Sequence, residues 1–413
     1  MNMPSRLAAV LVAFSALCGF NTAARAETTI KIGVLNDLSG PYSDLSGNGS
    51  VIAAQMAAED FAKEAGAASP KIEILSGDHQ NKADIGTLIA RTWVDRDGVA
   101  AIVDVPNSAV ALAVNQIMRE KDRTFLASST ATSDLTGSQC APTTVQWTFD
   151  TWALANGTAR AVIQQGGLKW FFIGANYALG ASLVRDATAV IKASGGAVLG
   201  DVRAPLGTSD LSSYLLQAQS SGAEIIGTAN GGDDLVNTIK QASEFGIGRD
   251  GKQRFAGLLV FLTDVKAMGL QAAQGLLLTE AFYWDLNDST RAWSRRFADR
   301  NGGKMPTMNH AGVYSETMAF LRAAVSVGGI SGQAIVARMK ATPVDDPLFG
   351  PTEIRADGRA VHAMYLFRVK APANSKGPYD LYDLASTIPA AQAFRPLDQG
   401  GCSLVASPAS GTK

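Results

Sequence analysis

The chain has 413 residues, of which 46% are hydrophobic and 18% charged, and its formal net charge is −1. A chain of this length can bury a large core but is too long for one ordinary domain, so we expect two domains. The Lys and Arg residues are scattered among the acidic residues and form no basic run. This excludes a nucleic-acid-binding protein, because phosphate recognition needs a basic face.

The first 26 residues are predicted to be a cleavable signal peptide. Arg6 precedes an apolar, uncharged run from Leu7 to Phe20. Ala24-Arg25-Ala26 then offers small residues at positions −3 and −1 of a cleavage site before Glu27. A buried N-terminal helix is the weaker interpretation, since a core helix seldom combines a basic start with such an end. A lipid anchor at Cys18 is also weaker, because the residues before it form a poor lipobox.

The mature chain, without residues 1–26, has three properties that bear on its class. It loses Arg6 and Arg25 and no acidic residue, so 34 of the 36 basic residues oppose 37 acidic ones and the net charge becomes −3. No later segment reaches the roughly eighteen apolar residues that a membrane span needs, so we expect a periplasmic protein without a span. Cys140 and Cys402 remain, and an oxidising compartment favours a disulfide between them over two separately buried thiols.

From Thr29 onward, short β-branched or apolar runs alternate with turns and longer segments of helical period. Strands are predicted at Ile30–Leu35, Ile72–Leu75, Ala101–Val103, Trp170–Gly174, Ala197–Arg203, Glu224–Thr228 and Val361–Phe367. Helices are predicted at Gly49–Lys63, Ala83–Arg96, Ser108–Glu120, Ala153–Gln165, Gly180–Ala193, Leu211–Ser220, Asp233–Glu244, Thr290–Arg300, Ala311–Val327 and Gly332–Met339. The pattern restarts after Trp147, which predicts an α/β protein with two doubly wound parallel-sheet lobes. The segment from Pro372 onward reads as turn-rich.

Five loops that follow predicted strands are rich in small polar residues. They span residues 37–42, 104–108, 127–130, 174–177 and 230–233. Ligands of open parallel sheets bind beyond the carboxyl ends of the strands, where hydroxyls, amides and helix N-termini hold polar or anionic groups. In any single loop these residues are more often plain helix N-caps. Their recurrence in both halves favours a ligand site.

The opening strand and loop, Ile32-Gly33-Val34-Leu35-Asn36-Asp37-Leu38-Ser39-Gly40-Pro41, resemble those of the branched-chain amino-acid type of periplasmic binding protein, the type I solute-binding fold of ABC importers. The resemblance covers nearly all of the mature chain. It continues through Gly77–Asn81, Ala127–Thr130, Gly257, Gly275-Leu276 and Phe349–Pro351.

The resemblance implies a site between two lobes joined by a three-strand hinge. Residues 27–147 plus 281–360 would form the N-terminal lobe, and residues 148–280 plus 361–413 the C-terminal lobe. Ligand residues carried over from the family are Asn107, Ser108, Ser128, Ser129 and Thr130 in the first lobe, with Tyr177 or Leu179, Asn230 and Gly231 in the second. Such a protein traps a small solute by hinge closure and delivers it to ABC permease subunits. We expect a monomer without a cofactor.

Two departures from the family pattern bear on the solute. Amino-acid binders carry an acidic residue after the strand at Leu258-Leu259-Val260, whereas this chain has Phe261-Leu262-Thr263 before Asp264. An unpaired buried ammonium is costly, so a zwitterion is disfavoured unless Asp264 reaches the site. The second departure is Leu179, where many members carry an aromatic ring. An apolar, stacking pocket could instead be lined by the aromatic rings of Tyr42, Trp152, Tyr177, Phe261 and Tyr314. Each ring taken singly is more typical of a core. We therefore expect a small carboxylate, including aromatic acids, ahead of an aliphatic amino acid.

Enzyme signatures are incomplete in this sequence. Gly47-Asn48-Gly49 lacks the third glycine of a dinucleotide fingerprint and lies too far past the first strand. Nucleophile-elbow and P-loop motifs are absent. His79, His310 and His362 stand alone, without a second metal ligand at suitable spacing. The remaining alternative is a ligand-sensing receptor module of the same fold, but the sequence contains no fused signalling partner.

Overall fold

A computed structural model describes residues 29–248 and 251–405. The predicted signal segment, its cleavage position and Cys18 lie outside the described residues.

The first sheet is parallel and has the strand order β2-β1-β3-β4-β5. Its strands are β1 (Thr29–Asn36), β2 (Lys71–Asp78), β3 (Ala101–Asp104), β4 (Thr124–Ala127) and β5 (Thr144–Gln146). The residues of β3, β4 and β5 are all buried, as expected for parallel strands covered by helices on both faces.

The second sheet repeats this arrangement with the order β7-β6-β8-β9. Its strands are β6 (Lys169–Ala175), β7 (Ala197–Ala204), β8 (Ile225–Ala229) and β9 (Arg254–Gly257). In both sheets the chain starts near the centre, moves one strand outward and then reverses direction. The protein is therefore α/β with two doubly wound parallel sheets.

Helices separate the strands and cover the sheets. They are α1 (Gly47–Ala65), α2 (Ala83–Thr92), α3 (Ser108–Glu120), α4 (Thr151–Gln164), α5 (Ala178–Ala193), α6 (Ser212–Ser220), α7 (Asp233–Glu244), α8 (Leu262–Met268), α9 (Leu270–Ala273), α10 (Asp288–Arg300), α11 (Met308–Val327), α12 (Gly332–Lys340) and α13 (Ala390–Ala393). The late helix α11 packs against the early helix α1 beside the first sheet, and α4 packs against α5 beside the second.

Two small antiparallel sheets complete the fold. One joins β10 (Leu277–Glu280), β14 (Met364–Val369) and β15 (Tyr382–Ile388), and the other joins β11 (Val344–Asp346), β12 (Gly350–Ile354) and β13 (Ala360–Val361). The strand predicted over residues 361–367 is thus divided between β13 and β14. The turn-rich reading after Pro372 is wrong for β15, whose side chains are mostly exposed and so lack the alternation that reveals a strand.

The chain leaves the first parallel sheet after β5 and enters the second at β6. The end of β5 lies beside a later part of the chain, since Gln146 forms a parallel bridge with Arg359. No single helix in the described part is long and apolar enough to cross a membrane. By length and composition alone, only α11 and α12 taken together would pass, and they are bent by 111°.

Candidate functional site

Loops from both sheets meet at the carboxyl ends of the strands. Strand order reverses between β1 and β3 in the first sheet and between β6 and β8 in the second, and ligands of open α/β sheets bind at such points. Tyr42, Asn107, Tyr177 and Asn230 follow these four strands. The structure therefore brings four predicted site residues to the two switch points.

The loops of the two sheets touch each other directly. The hydroxyls of Tyr42 and Tyr177 lie 2.5 Å apart, and the Asp233 N–H donates to the Pro41 carbonyl at 3.3 Å. Gly232 has a φ of +61°, and a Cβ at this position would overlap the Pro41 carbonyl oxygen. Glycine is therefore required at this close approach both by its backbone conformation and by space.

Asp37 shapes the loop that carries Tyr42. Its carboxylate accepts hydrogen bonds from the N–H groups of Gly40 at 2.7 Å and Tyr42 at 2.9 Å, and from the Asn81 amide at 2.7 Å. These bonds satisfy the carboxylate within its own lobe. Asp37 thus positions Tyr42 and is not free to contact a ligand.

The loop after β3 is held in a strained conformation. Asp104 and Val105 have φ angles of +83° and +59°, a region that β-branched residues rarely adopt and that recurs at functional sites. Neighbouring hydroxyls stabilise it: Ser46 and Ser129 donate to the Asp104 carboxylate, and Thr130 donates to the Val105 carbonyl at 2.6 Å. The hydroxyls of Ser129 and Thr130 therefore donate to this loop and are not available to donate to a ligand.

Asn107 acts as the N-cap of α3. Its Oδ1 accepts from the N–H groups of Ala109 at 3.0 Å and Val110 at 3.2 Å, and its Nδ2 donates to the Asn81 Oδ1 at 3.3 Å. All these partners lie in α3 or in the loop after β2, beside the first sheet. The capping role that is common for Asn before a helix is present here.

Three predicted site residues retain unused polar atoms. Ser108 and Ser128 are fully buried and Asn230 is 4% exposed. Ser108 Oγ and Asn230 Oδ1 have no hydrogen-bond partner among the described residues, and Ser128 Oγ lies beside the Glu316 carboxyl without a well-formed hydrogen bond. The Asn230 Nδ2 donates to Thr238 Oγ1 at 3.0 Å, which fixes the orientation of the amide. Leaving such atoms unpaired in a folded protein costs about 1–3 kcal/mol each. The site therefore presents two hydroxyls and one carbonyl acceptor that need partners.

Aromatic rings lie beside these loops. Phe261 is 1% exposed and contacts Phe149 edge to face at a centroid distance of 6.1 Å. Gly231 approaches Leu259, to which a Cβ would lie 3.0 Å away. The cleft side of the second sheet is therefore apolar around Asn230.

Two predicted site residues are placed elsewhere. The Tyr314 hydroxyl donates to Asp60 on α1 at 3.0 Å, and its ring packs against Trp293 at 5.3 Å. Trp152 lines a groove beside the C-terminal segment, together with Pro389 and Phe394. The structure therefore does not bring Tyr314 or Trp152 to the loop cluster, and both rings contribute to packing.

Asp264 caps its own helix. It is 4% exposed, and its carboxylate accepts from the Phe261 N–H at 3.0 Å. Burial raises the pKa of Asp264 to about 7. A carboxyl group that is partly protonated at neutral pH and already bonded is a weak partner for an ammonium group.

Each of the three histidines forms a hydrogen bond with a backbone group. His310 Nε2 bonds the Ser46 carbonyl at 2.8 Å, and His362 Nε2 bonds the Trp147 carbonyl at 3.0 Å. Burial lowers the pKa of His79, His310 and His362 to about 4, so they are neutral at pH 7. In residues 29–248 and 251–405, no three His, Cys, Asp or Glu side chains gather as a metal site would require.

Two buried polar residues near the loops escaped sequence analysis, Asn309 and Glu316 of α11. Both are fully buried, and burial raises the pKa of Glu316 well above its ordinary value. The only signal in the sequence is a polar residue within a helix that otherwise reads as apolar. That signal does not indicate what the residue faces.

Comparison with known proteins places the chain in a family. A family model described as periplasmic binding protein matches residues 29–378. A crystal structure of a periplasmic binding protein from Burkholderia mallei is 43% identical, covers 91% of this chain and 99% of its own, and superposes with a TM-score of 0.87. A branched-chain amino acid ABC transporter periplasmic ligand-binding protein from Burkholderia xenovorans LB400 is 38% identical over the same shares, with a TM-score of 0.80.

A solute-binding protein of an ABC transporter from R. palustris, solved in complex with benzoate, shares the fold at 19% identity, with a TM-score of 0.78 and coverage of 91% of this chain and 100% of its own. The chain therefore belongs to the type I periplasmic binding proteins, a family of periplasmic location whose members are solute-binding components of ABC transporters rather than enzymes.

Proposed function

We propose that this chain captures a small organic acid, an aromatic carboxylate first and an aliphatic amino acid second, and delivers it to ABC permease subunits. The solute would bind between a lobe of residues 27–147 plus 281–360 and a lobe of residues 148–280 plus 361–413, after residues 1–26 have directed export. The observation that carries the proposal is the pair of fully buried hydroxyls of Ser108 and Ser128, of which Ser108 Oγ has no partner among the described residues and Ser128 Oγ has only the neighbouring Glu316 carboxyl.

An anionic group fits these hydroxyls. Ser108 is the first residue of the 13-residue helix α3, whose N-terminus carries partial positive charge. Ser108 and Ser128 can both donate, whereas a carboxylate only accepts. Three neighbouring groups have their donors engaged elsewhere, namely Asn107, Ser129 and Thr130. Ser108 and Ser128 are therefore the donors expected to hold a carboxylate, with the Ser128 hydroxyl turning from the Glu316 carboxyl to the ligand.

The state of Asp264, the acidic residue nearest the family's ammonium-binding position, favours a simple acid over a zwitterion. Asp264 is bonded to its own helix and its pKa is raised to about 7. The rings of Tyr42, Tyr177 and Phe261 offer apolar surface on which an aromatic acid could stack. The benzoate complex from R. palustris supports the view that this fold accommodates such a ligand.

Closure would complete the site. Tyr42 and Tyr177 meet at 2.5 Å, and Asp233 bonds Pro41, so each sheet supplies part of the contact between the lobes. A solute that contacts Ser108 and Ser128 on one side and Asn230 on the other would favour the closed arrangement by its differential contacts. The permease could then distinguish loaded from empty protein.

A ligand panel tests the solute class. Purified, refolded protein is expected to show a raised thermal midpoint with benzoate or a substituted benzoate, because binding to the native state stabilises it by mass action. Leucine and valine are expected to give smaller shifts. Differential scanning fluorimetry followed by calorimetric titration measures both. Strong shifts with leucine or valine and none with aromatic acids would reverse the proposed order.

Removing a donor tests the carboxylate contact. Ser108→Ala and Ser128→Ala are each expected to weaken binding of the best acid about 10- to 100-fold, since a hydrogen bond to a charged group contributes roughly 1.5–3 kcal/mol. Isothermal titration calorimetry gives the affinities. Ser294→Ala is the matched control, because Ser294 is also fully buried with an unpartnered hydroxyl but lies on α10. Equal losses in all three variants would argue against a direct contact.

A further inference from the structure

One face of α11 carries two polar residues, Asn309 and Glu316, whose side-chain atoms lack hydrogen-bond partners among the described residues, with Gly312 between them. Asn309, Gly312 and Glu316 are three and four residues apart, a spacing that puts them on the same side of a helix. A Cβ on Gly312 would overlap the Thr148 hydroxyl and lie 2.9 Å from the Ser128 Cβ. This face is therefore directed toward Ser128, one of the two hydroxyls expected to hold the carboxylate.

The N-terminal end of α11 lies on the cleft side of this contact. Thr307 Oγ1 donates to the Leu45 carbonyl at 2.7 Å, and His310 Nε2 bonds the Ser46 carbonyl at 2.8 Å. Leu45 in turn faces Gly232 of the other sheet, where a Cβ would lie 3.4 Å from its side chain. Asn309 is thus one turn nearer to the meeting point of the two sheets than Gly312.

The side-chain amide of Asn309 is fully buried, and neither its Oδ1 nor its Nδ2 has a partner among the described residues. Buried amides are normally paired, because each unpaired polar atom costs about 1–3 kcal/mol. An amide both donates and accepts. A carboxylate could satisfy the Nδ2 but would repel the Oδ1, whereas a hydroxyl can satisfy either atom.

Asn230 gives an independent indication from the opposite loop. Its Nδ2 is engaged by Thr238, so its free Oδ1 can only accept. Around the loop cluster, the hydroxyls of Ser108 and Ser128 are therefore accompanied by unpaired acceptors, namely Asn230 Oδ1, Asn309 Oδ1 and the Glu316 carboxyl oxygens. A simple carboxylate has nothing to offer the acceptors.

We infer that Asn309 is a specificity-determining residue that selects acids carrying a hydroxyl group, with Asn230 as the second acceptor. The inference rests on the proposed function and narrows its solute class to hydroxylated carboxylates. A site built to bond a hydroxyl discriminates against the analogue that lacks it, because its own buried groups are then left unpaired.

The test compares acids that differ by one hydroxyl. Benzoate and the 2-, 3- and 4-hydroxybenzoates form one series, and 4-methylpentanoate and 2-hydroxy-4-methylpentanoate form a second. Wild-type protein is expected to bind one hydroxylated acid about 10- to 100-fold more tightly than its parent, the factor that one unsatisfied polar atom implies. Asn309→Leu, which is similar in size but apolar, is expected to lose this preference, so that the ratio of the two affinities approaches one.

Thr317→Val is the matched control for the helix. Thr317 is buried on α11 with an unpartnered hydroxyl, but it lies eight residues, or roughly 12 Å, further along the helix than Asn309. This variant is expected to keep the hydroxyl preference. Circular dichroism checks that each variant folds, and the wild-type comparison needs no variant at all.

Two of the possible outcomes overturn the inference alone, and a third overturns the proposed solute class with it. Equal affinity for parent and hydroxylated acids in the wild type overturns the inference and leaves the carboxylate assignment intact. A preference that survives in Asn309→Leu overturns the role of Asn309. Failure of the protein to bind any of the acids overturns both the inference and the proposed solute class.

Discussion

Replacing Arg359 with Met is expected to lower the free energy of unfolding by about 3–5 kcal/mol, the cost typical of breaking a buried ion pair by removing one partner. Arg359 is fully buried. Its guanidinium donates to the carbonyls of Trp147, Phe149 and Ala360 and lies 3.8 Å from the Asp150 carboxylate. Met would leave Asp150 and the three carbonyl oxygens without this donor. Equilibrium unfolding in urea measures the loss.

The expected size of this effect follows from the position of Arg359 between two segments that are distant in sequence. Burial lowers the pKa of Arg359 to about 10, so the side chain stays charged at pH 7. Arg359 precedes β14, but it donates to the carbonyls of Trp147 and Phe149, which follow β5. Its guanidinium also lies 4.6 Å from the Phe394 ring centroid. No other donor among these contacts can reach all of the same oxygens.

Arg300→Met is the control for Arg359→Met. Arg300 forms a two-bond pair with Glu59, but its side chain is 41% exposed, and exposed pairs contribute about 0–1 kcal/mol. We expect a small change in this variant and an intermediate loss in Arg359→Lys, which keeps the charge but not the three-way geometry. A loss below about 1 kcal/mol in Arg359→Met would mean that the carbonyls find water instead.

The alternation of strands and helices was predictable because it depends on local patterns. The helix predicted over Asp233–Glu244 has those bounds in the structure, and the first strand differs from its prediction by one residue at each end. β15 was missed because its role depends on backbone pairing with β14, while its side chains remain mostly exposed. Periodicity reports burial, so a strand that is not buried leaves no such signal.

The site was only partly predictable, since small polar residues after strands have two uses. Ser128 and Ser129 are adjacent in the sequence, yet Ser129 stabilises the Asp104 loop and Ser128 lies beside the buried Glu316 carboxyl. The difference depends on β3, which is remote in sequence from both. Tyr314 was assigned to the cleft because of its residue type, but its partner Asp60 lies 254 positions away. Asn309 was overlooked for the same reason, because only the packing of α11 shows what it faces.

Cys140→Ser is expected to lower the free energy of unfolding by about 2–5 kcal/mol, the range typical for loss of a native disulfide. Cys140 and Cys402 are bonded, with a sequence separation of 262 residues, and both are 5% exposed. A cross-link over such a long loop restricts the unfolded chain strongly, which in the chain-entropy account is the source of the stabilisation. Urea unfolding of oxidised wild type and variant measures the difference.

The bond also holds the C-terminal segment against the first part of the chain. Arg395 donates to the Ser133 carbonyl at 3.1 Å, and a Cβ on Gly137 would lie 2.8 Å from the Gly400 carbonyl. The segment around residues 395–402 contains only a short 3-10 turn and no strand, so once the cross-link is lost we expect it to detach more often than the sheets unfold. Limited proteolysis is therefore expected to cleave there faster in Cys140→Ser than in the wild type.

The double variant Cys140→Ser with Cys402→Ser separates the bond from the side chains. One bond is lost in each single variant and in the double variant, so all three are expected to show similar stability, and reductant is expected to destabilise only the wild type. Losses that add between the two single variants would instead assign the effect to the buried side chains. Two alkylatable thiols in the unreduced, exported protein would show that the bond does not form in the cell.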